Sequence, residues 1–83
     1  MKTIRYSAAA DKVLARIPAN TAALIEAKID QLAADPKSLS NQIKRLVGSQ
    51  AFRLRVGDWR VIYTEDLVVL DILNIAPRAG AYA

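Results

Sequence analysis

With no histidine and no cysteine in the sequence, any chemistry must come from arginine, lysine, tyrosine, hydroxyl or carboxylate groups. The first absence removes the commonest general base and metal ligand. The second removes disulfides, thiolate nucleophiles and most zinc sites. The densest set of candidates is Arg53, Arg55 and Arg60, carried in Phe52-Arg-Leu-Arg-Val-Gly-Asp-Trp-Arg-Val-Ile-Tyr63. Phe52 to Val56 alternates strictly in polarity, and Gly57-Asp58 is a two-residue hairpin signal. With that pair as the turn, Val56 faces Trp59, Arg55 faces Arg60 and Leu54 faces Val61. Side chains alternate across a strand. Phe52, Leu54, Val56, Trp59, Val61 and Tyr63 then share a core face, and Arg53, Arg55 and Arg60 share the open one. Such a cluster suits phosphate, because the arginine fork bonds two oxygens at once.

Arg55 directly opposite Arg60 is unfavourable by a few tenths of a kcal/mol to about 1 kcal/mol. A bound anion offsets this. So does a local carboxylate: if Glu65-Asp66 form a two-residue turn, Asp71 lies opposite Arg60. A third reading is a solvated face with no further role. Lys44 and Arg45 are phosphate contacts or a solvated loop. Tyr6, Tyr63 and Tyr82 read first as packing residues with a wet tip. Trp59 reads as core, with stacking on a base as the sharper alternative. Asp71, inside an apolar strand, is paired or belongs to a site. The sequence holds no Gly-rich phosphate loop, paired-carboxylate motif or metal-ligand spacing, so neither a metal nor a cofactor is expected.

The elements that position these residues follow from periodicity and punctuation. Residues 3–6 alternate as a short strand. Ser7 offers an N-cap for a helix through about Ile17, with Ala10, Val13, Leu14 and Ile17 on one face. Pro18 ends it. Asn20 is read as the cap of a second helix to about Ala34, with Ile25, Ile29 and Leu32 as its apolar stripe. Asp35-Pro36 stops that helix. Residues 36–50 read as a polar connecting loop ending at Gly48-Ser49. After the hairpin, Glu65-Asp66 reads as the next turn. Leu67 to Ile75 is a nearly continuous apolar run, as expected of a strand buried on both faces, and Pro77 closes it. The order β-α-α-β-β-β predicts an α+β fold, an antiparallel sheet with an N-terminal helical hairpin packed on one face.

The 83 residues suit a single domain, 1–83. A domain this small buries only about 60–65% of the surface its unfolded chain exposes. A composition 53% hydrophobic and 24% charged fits a globular protein and argues against disorder. No apolar run approaches the roughly 20 residues of a membrane span, and the first residues lack the apolar core of a signal peptide. The chain therefore reads as cytoplasmic, with no membrane partner. A net charge of +4 favours an anionic partner.

The hairpin from Phe52 to Tyr63 resembles the signature of RelE/ParE-type toxins of type II bacterial toxin–antitoxin systems: an aromatic, a basic residue, Leu or Ile, a basic residue, then Gly-Asp-aromatic-Arg-Val-Ile-Tyr. Lys44-Arg-Leu-Val-Gly48 is similar to the family's Lys-x-Leu-x-Gly segment. Ile75-Ala-Pro-Arg78, with Tyr82 four residues on, is similar to its Gly-His-Arg and terminal tyrosine. For RelE-like members the resemblance implies an mRNA interferase, an endoribonuclease that cuts mRNA on the ribosome without a metal. The 2′-hydroxyl attacks the adjacent phosphate. Carried over, Arg53 and Arg55 match the paired basic residues, and Arg60 and Arg78 the later arginines. Arg55, Arg60 and Arg78 would bind phosphate and stabilise the transition state. Tyr82 would position the nucleophile or join proton transfer, and Lys44 and Arg45 would bind RNA. RelE-like members often carry lysine where Arg53 and Arg55 stand, and histidine where Pro77 stands. Arginine stays protonated above about pH 12 and cannot serve as a base. For ParE-like members the resemblance implies a non-enzymatic inhibitor of DNA gyrase, which these differences suit. Either type implies a cognate antitoxin that lays a helix over the helical hairpin and a segment over the basic sheet face.

Overall fold

The computed structural model describes residues 1–78, so Tyr82 lies outside the described residues. Strand β1 (Thr3–Tyr6) is followed by helices α1 (Ala8–Arg16) and α2 (Ala19–Ala34) and a 3-10 segment, Pro36–Gln42. Then come β2 (Ile43–Arg45), β3 (Phe52–Val56), β4 (Trp59–Glu65) and β5 (Val69–Pro77). They form one five-stranded sheet in the order β1-β5-β4-β3-β2. β1 runs parallel to β5, and the other pairings are antiparallel. The fold is the α+β arrangement read from the sequence, with one more strand. Residues 36–50 are not all loop, because Ile43, Lys44 and Arg45 pair with Leu54, Arg53 and Phe52.

Ser7 caps α1 as expected: its backbone is extended and its hydroxyl accepts the Ala10 N–H at 3.0 Å. Asn20 does not cap α2. The helix starts two residues earlier, with Pro18 at the cap position, because the Pro18 carbonyl already accepts the Ala22 N–H at 3.0 Å. Asn20 thus lies inside the first turn, where its side-chain oxygen accepts only the next residue's N–H, that of Thr21. The helices pack on one face of the sheet. Ala10, Ile25, Ile29 and Leu32 meet Leu54, Val56, Val61, Tyr63, Leu70, Ile72 and Ile75 in one buried cluster, with Phe52 and Trp59 packed at its edge. Phe52 and Tyr63 stack with ring centroids 5.4 Å apart. The six apolar residues of the hairpin therefore share the core face, as alternation requires.

The β4–β5 connection differs from the sequence reading. The turn residues are Leu67 and Val68, 95% and 65% exposed, and not Glu65-Asp66. Asp66 makes this turn: its Oδ1 accepts the N–H groups of Val68 and Val69, both at 2.7 Å. Its own N–H donates to the Val69 carbonyl at 3.0 Å. An aspartate that bonds its own backbone two residues on substitutes for a polar turn pair, so two apolar residues can occupy the tip. Nor is β5 buried on both faces. Leu70, Ile72 and Ile75 are buried, while Leu73 is 41% exposed and forms a bulge where the register slips, since Tyr63 pairs with Ile72 but Ile62 with Asn74. Among the described residues no helix is long and apolar enough to cross a membrane.

Candidate anion-binding face

The face of the sheet away from the helices carries the cations. On β3, Arg53 sits between Lys44 of β2 and Ile62 of β4, and Arg55 lies opposite Arg60. Lys44 is therefore no loop residue but the neighbour of Arg53 across an edge strand. A pocket of about 180 Å³, lined by Asn41, Gln42, Ile43, Lys44, Arg53 and Arg55, opens beside them. Arg45 falls on the alternate side of β2, opposite Phe52, and its Nε donates to the Ser49 carbonyl at 3.4 Å. It stands apart from the cluster.

Arg60 differs from its neighbours. It is the one buried charged residue among those described, 8% exposed. Its Nη1 donates to the carbonyls of Gly57 (3.1 Å) and Trp59 (3.0 Å). Gly57 has φ of 58°, a left-handed backbone that costs a residue with a side chain and costs glycine nothing. Arg78 comes to the same turn from the other side, because its N–H donates to the Asp58 carbonyl at 2.8 Å. Arg55, Arg60 and Arg78 thus come from three adjacent strands to one end of the sheet.

Asp71 is not the partner of Arg60. It lies opposite Thr64 on β4 and beside Arg5 on the parallel strand β1. The Arg5 guanidinium grips it with two bonds, Nε to Oδ1 at 2.6 Å and Nη2 to Oδ2 at 3.0 Å. That carboxylate holds the Arg5 guanidinium above its ordinary pKa. Nearby, Lys2 pairs with Glu65 at 2.7 Å. The N–H groups of Val69 and Val68 hold the Asp66 carboxyl below its ordinary pKa. The open face is therefore polarised. On its β1 side the carboxylates of Asp71 and Glu65 are bonded to Arg5 and Lys2, while the β2–β3 side and the Gly57-Asp58 turn carry Lys44, Arg53, Arg55 and Arg78 with the carboxylate of Asp58.

Tyr6 and Tyr63 lie on the helix side. Burial, helped by Asp30, Glu26 and Asp11, pushes the Tyr6 hydroxyl up to about 12, and burial also raises Tyr63. Neither serves the cations. The arginine positions were legible from alternation. The Lys44–Arg53 adjacency and the Arg5–Asp71 pair were not, because both depend on strand pairings that alternation within a strand does not encode. Arg60 burial was missed for a similar reason: nothing in a side-chain pattern shows that a guanidinium folds back onto its own turn.

Solved structures share this fold. An archaeal RelE–RelB complex from Pyrococcus horikoshii OT3 aligns over 96% of this chain and 98% of that one, at 26% identity and a TM-score of 0.79. The toxin–antitoxin complex RelBE2 from Mycobacterium tuberculosis aligns over 93% and 98%, at 24% and 0.73. The E. coli DinJ–YafQ toxin–antitoxin complex aligns over 99% and 98%, at 17% and 0.73; the last two, below a quarter identity, speak for the fold alone. No curated protein matches the chain. Residues 4–82 match the family described as the ParE toxin of type II toxin–antitoxin systems, parDE. With nearly its whole length matched, the chain belongs to the ParE toxin family, within the RelE/ParE superfamily, and is a toxin of a type II toxin–antitoxin system.

Proposed function

We propose that the chain is a RelE-like mRNA interferase, acting on translated mRNA in the cytoplasm and held inactive by a cognate antitoxin. The observation that carries the reading is the row of exposed or half-exposed cations, Lys44, Arg53 and Arg55, beside a pocket on the open face, with Arg78 at the adjoining turn. Guanidinium groups placed where phosphate charge grows stabilise the transition state more than the ground state. In the proposed step the 2′-oxygen bonds to the adjacent phosphorus and the bond from phosphorus to the 5′-oxygen breaks. The products are a 2′,3′-cyclic phosphate and a 5′-hydroxyl. Arg53, Arg55 and Arg78 hold the phosphate oxygens. The arginines cannot remove the 2′-proton, so that proton leaves to water and the departing 5′-oxygen takes one up in exchange; Tyr82 is the residue assigned to nucleophile positioning or to this proton transfer. The antitoxin partner is supported by the similar structures, which are complexes of toxin with antitoxin.

A second reading, a ParE-like inhibitor of DNA gyrase without chemistry of its own, is favoured by arginine at both positions of the pair, since neither can act as a base. Pulse-labelling after induction of the toxin without antitoxin separates the two. The interferase reading expects methionine incorporation to stop first, with mRNA cut inside translated regions. A stop in thymidine incorporation with intact mRNA would overturn it in favour of gyrase.

A further inference from the structure

We propose that Arg60 is a positioning residue for Arg78 and not a ligand of phosphate. Arg60 is buried, 8% exposed as a whole residue, which leaves little surface for a ligand. Both of its bonds go to the chain itself, to the Gly57 and Trp59 carbonyls on either side of Asp58. Those two carbonyls bracket the peptide whose own carbonyl, that of Asp58, holds the Arg78 N–H at 2.8 Å. The three bonds form one chain of contacts: Arg60 fixes the turn, the turn presents the Asp58 oxygen, and that oxygen fixes where Arg78 leaves β5. The bonds also answer the repulsion between Arg55 and Arg60 on adjacent strands. Two carbonyl dipoles draw the Arg60 charge into the turn, and Arg55 stays exposed toward solvent.

One geometric detail gives the test its discrimination. Both Arg60 bonds leave a single nitrogen, Nη1. A lysine ammonium carries three donors at one point and can make both bonds. It cannot reproduce the fork that grips a phosphate. Arg60→Lys therefore rescues a turn clamp and does not rescue a bidentate phosphate ligand.

The experiment uses the purified full chain and a single-stranded oligoribonucleotide of twelve residues as probe. Amide exchange at Arg78, read by NMR, reports the positioning directly. Arg60→Met is expected to speed that exchange by about tenfold while amides in the middle of β3 keep their protection, and Arg60→Lys is expected to keep the wild-type rate. In RNA titrations, Arg60→Met is expected to weaken binding in the wild-type background and to add nothing once Arg78→Ala is present. Unchanged Arg78 exchange in Arg60→Met would overturn the proposal. So would a salt dependence of binding that becomes shallower by about 0.7 for Arg60→Met in both backgrounds, the mark of one lost phosphate contact on a single strand. Should Arg60→Met fail to fold, the wild-type guanidinium resonances decide. The Arg55 and Arg78 side-chain N–H signals are expected to shift as RNA is added and the Arg60 signal to stay, and an Arg60 shift as large as that of Arg55 would overturn the assignment. The inference rests on the phosphate-binding reading only for its RNA arm. If the wild-type protein binds no RNA, that reading fails while the exchange measurement still decides the role of Arg60.

Discussion

Ser7 joins the helical hairpin to the strand that delivers Arg78, and its replacement has a calculable cost. The hydroxyl makes two bonds at once. It accepts the Ala10 N–H at 3.0 Å as the cap of α1, and it donates to the Leu73 carbonyl at 2.7 Å, at the β5 bulge. Removing a side-chain cap costs about 1 kcal/mol. Removing the second bond costs about 1 kcal/mol more, since the Leu73 carbonyl loses its hydroxyl partner. Ser7→Ala should therefore lose about 2 kcal/mol, a fall in Tm of about 8–16 °C for a domain of this size. Ser7→Asp separates the two bonds. Its carboxylate keeps the cap acceptor and has no proton for Leu73, so about half of the loss should return. Urea unfolding followed by the fluorescence of Trp59, the single tryptophan, measures both variants. A loss below about 0.5 kcal/mol in Ser7→Ala would refute the reasoning, because no burial change competes with the two bonds. Equal losses in Ser7→Ala and Ser7→Asp would remove the cap as a contributor.

Three further outcomes are expected. Arg55→Ala should make the salt dependence of oligoribonucleotide binding shallower by about 0.7, while Lys12→Ala, on the exposed side of α1, should leave it unchanged; fluorescence anisotropy at several salt concentrations measures both. The Asp66 carboxyl is held low by two backbone N–H groups, so its contribution to stability is present above the ordinary aspartate pKa and disappears as pH falls through the lower, folded value. Asp66→Ala should abolish that part of the acid dependence, read from urea midpoints between pH 2 and 6. In an alkaline titration followed at 295 nm, Tyr6 should ionise near 12 rather than near 10. Burial favours its neutral form, so stability should fall as pH rises from 10 toward 12, and a normal Tyr6 titration in the folded protein would contradict the packing described.

Local chemistry made much of this fold legible. Ser7, Pro18 and Asp35-Pro36 punctuate the helices, and Gly57-Asp58 fixes the β3–β4 register residue for residue. The register failures on β5 share one cause. Leu67 and Val68 look like strand, and only the side chain of Asp66 makes them a turn. Moving the turn by two residues moves every β4 partner on β5 by four. The Leu73 bulge moves the partners nearest the Gly57-Asp58 turn by one more. Arg60 therefore faces Ala76 instead of Asp71. The fifth strand was missed because three residues are too few to show alternation against a polar background, and its register comes from β3.

The displaced turn also sets the electrostatics of the toxin. With Asp71 opposite Arg60, a carboxylate would sit inside the arginine cluster. The actual register takes Asp71 to Arg5 of β1 and leaves Glu65 to Lys2 just before that strand, so these two carboxylates of the β4–β5 hairpin are paired away from the arginine cluster. Residues 37–60 then carry six basic groups against the single carboxylate of Asp58. The helical hairpin, residues 8–35, has three basic groups and four acidic ones. The molecule extends 31 × 27 × 24 Å, and charges separated by more than the Debye length of about 8 Å are largely screened at physiological salt. An approaching phosphate chain therefore meets the local basic surface and not the average of the whole protein. The net charge of +4 understates that surface, and a variant that returns a carboxylate to it, Ala76→Asp opposite Arg60, should weaken oligoribonucleotide binding more than the same charge placed on the outer side of α2.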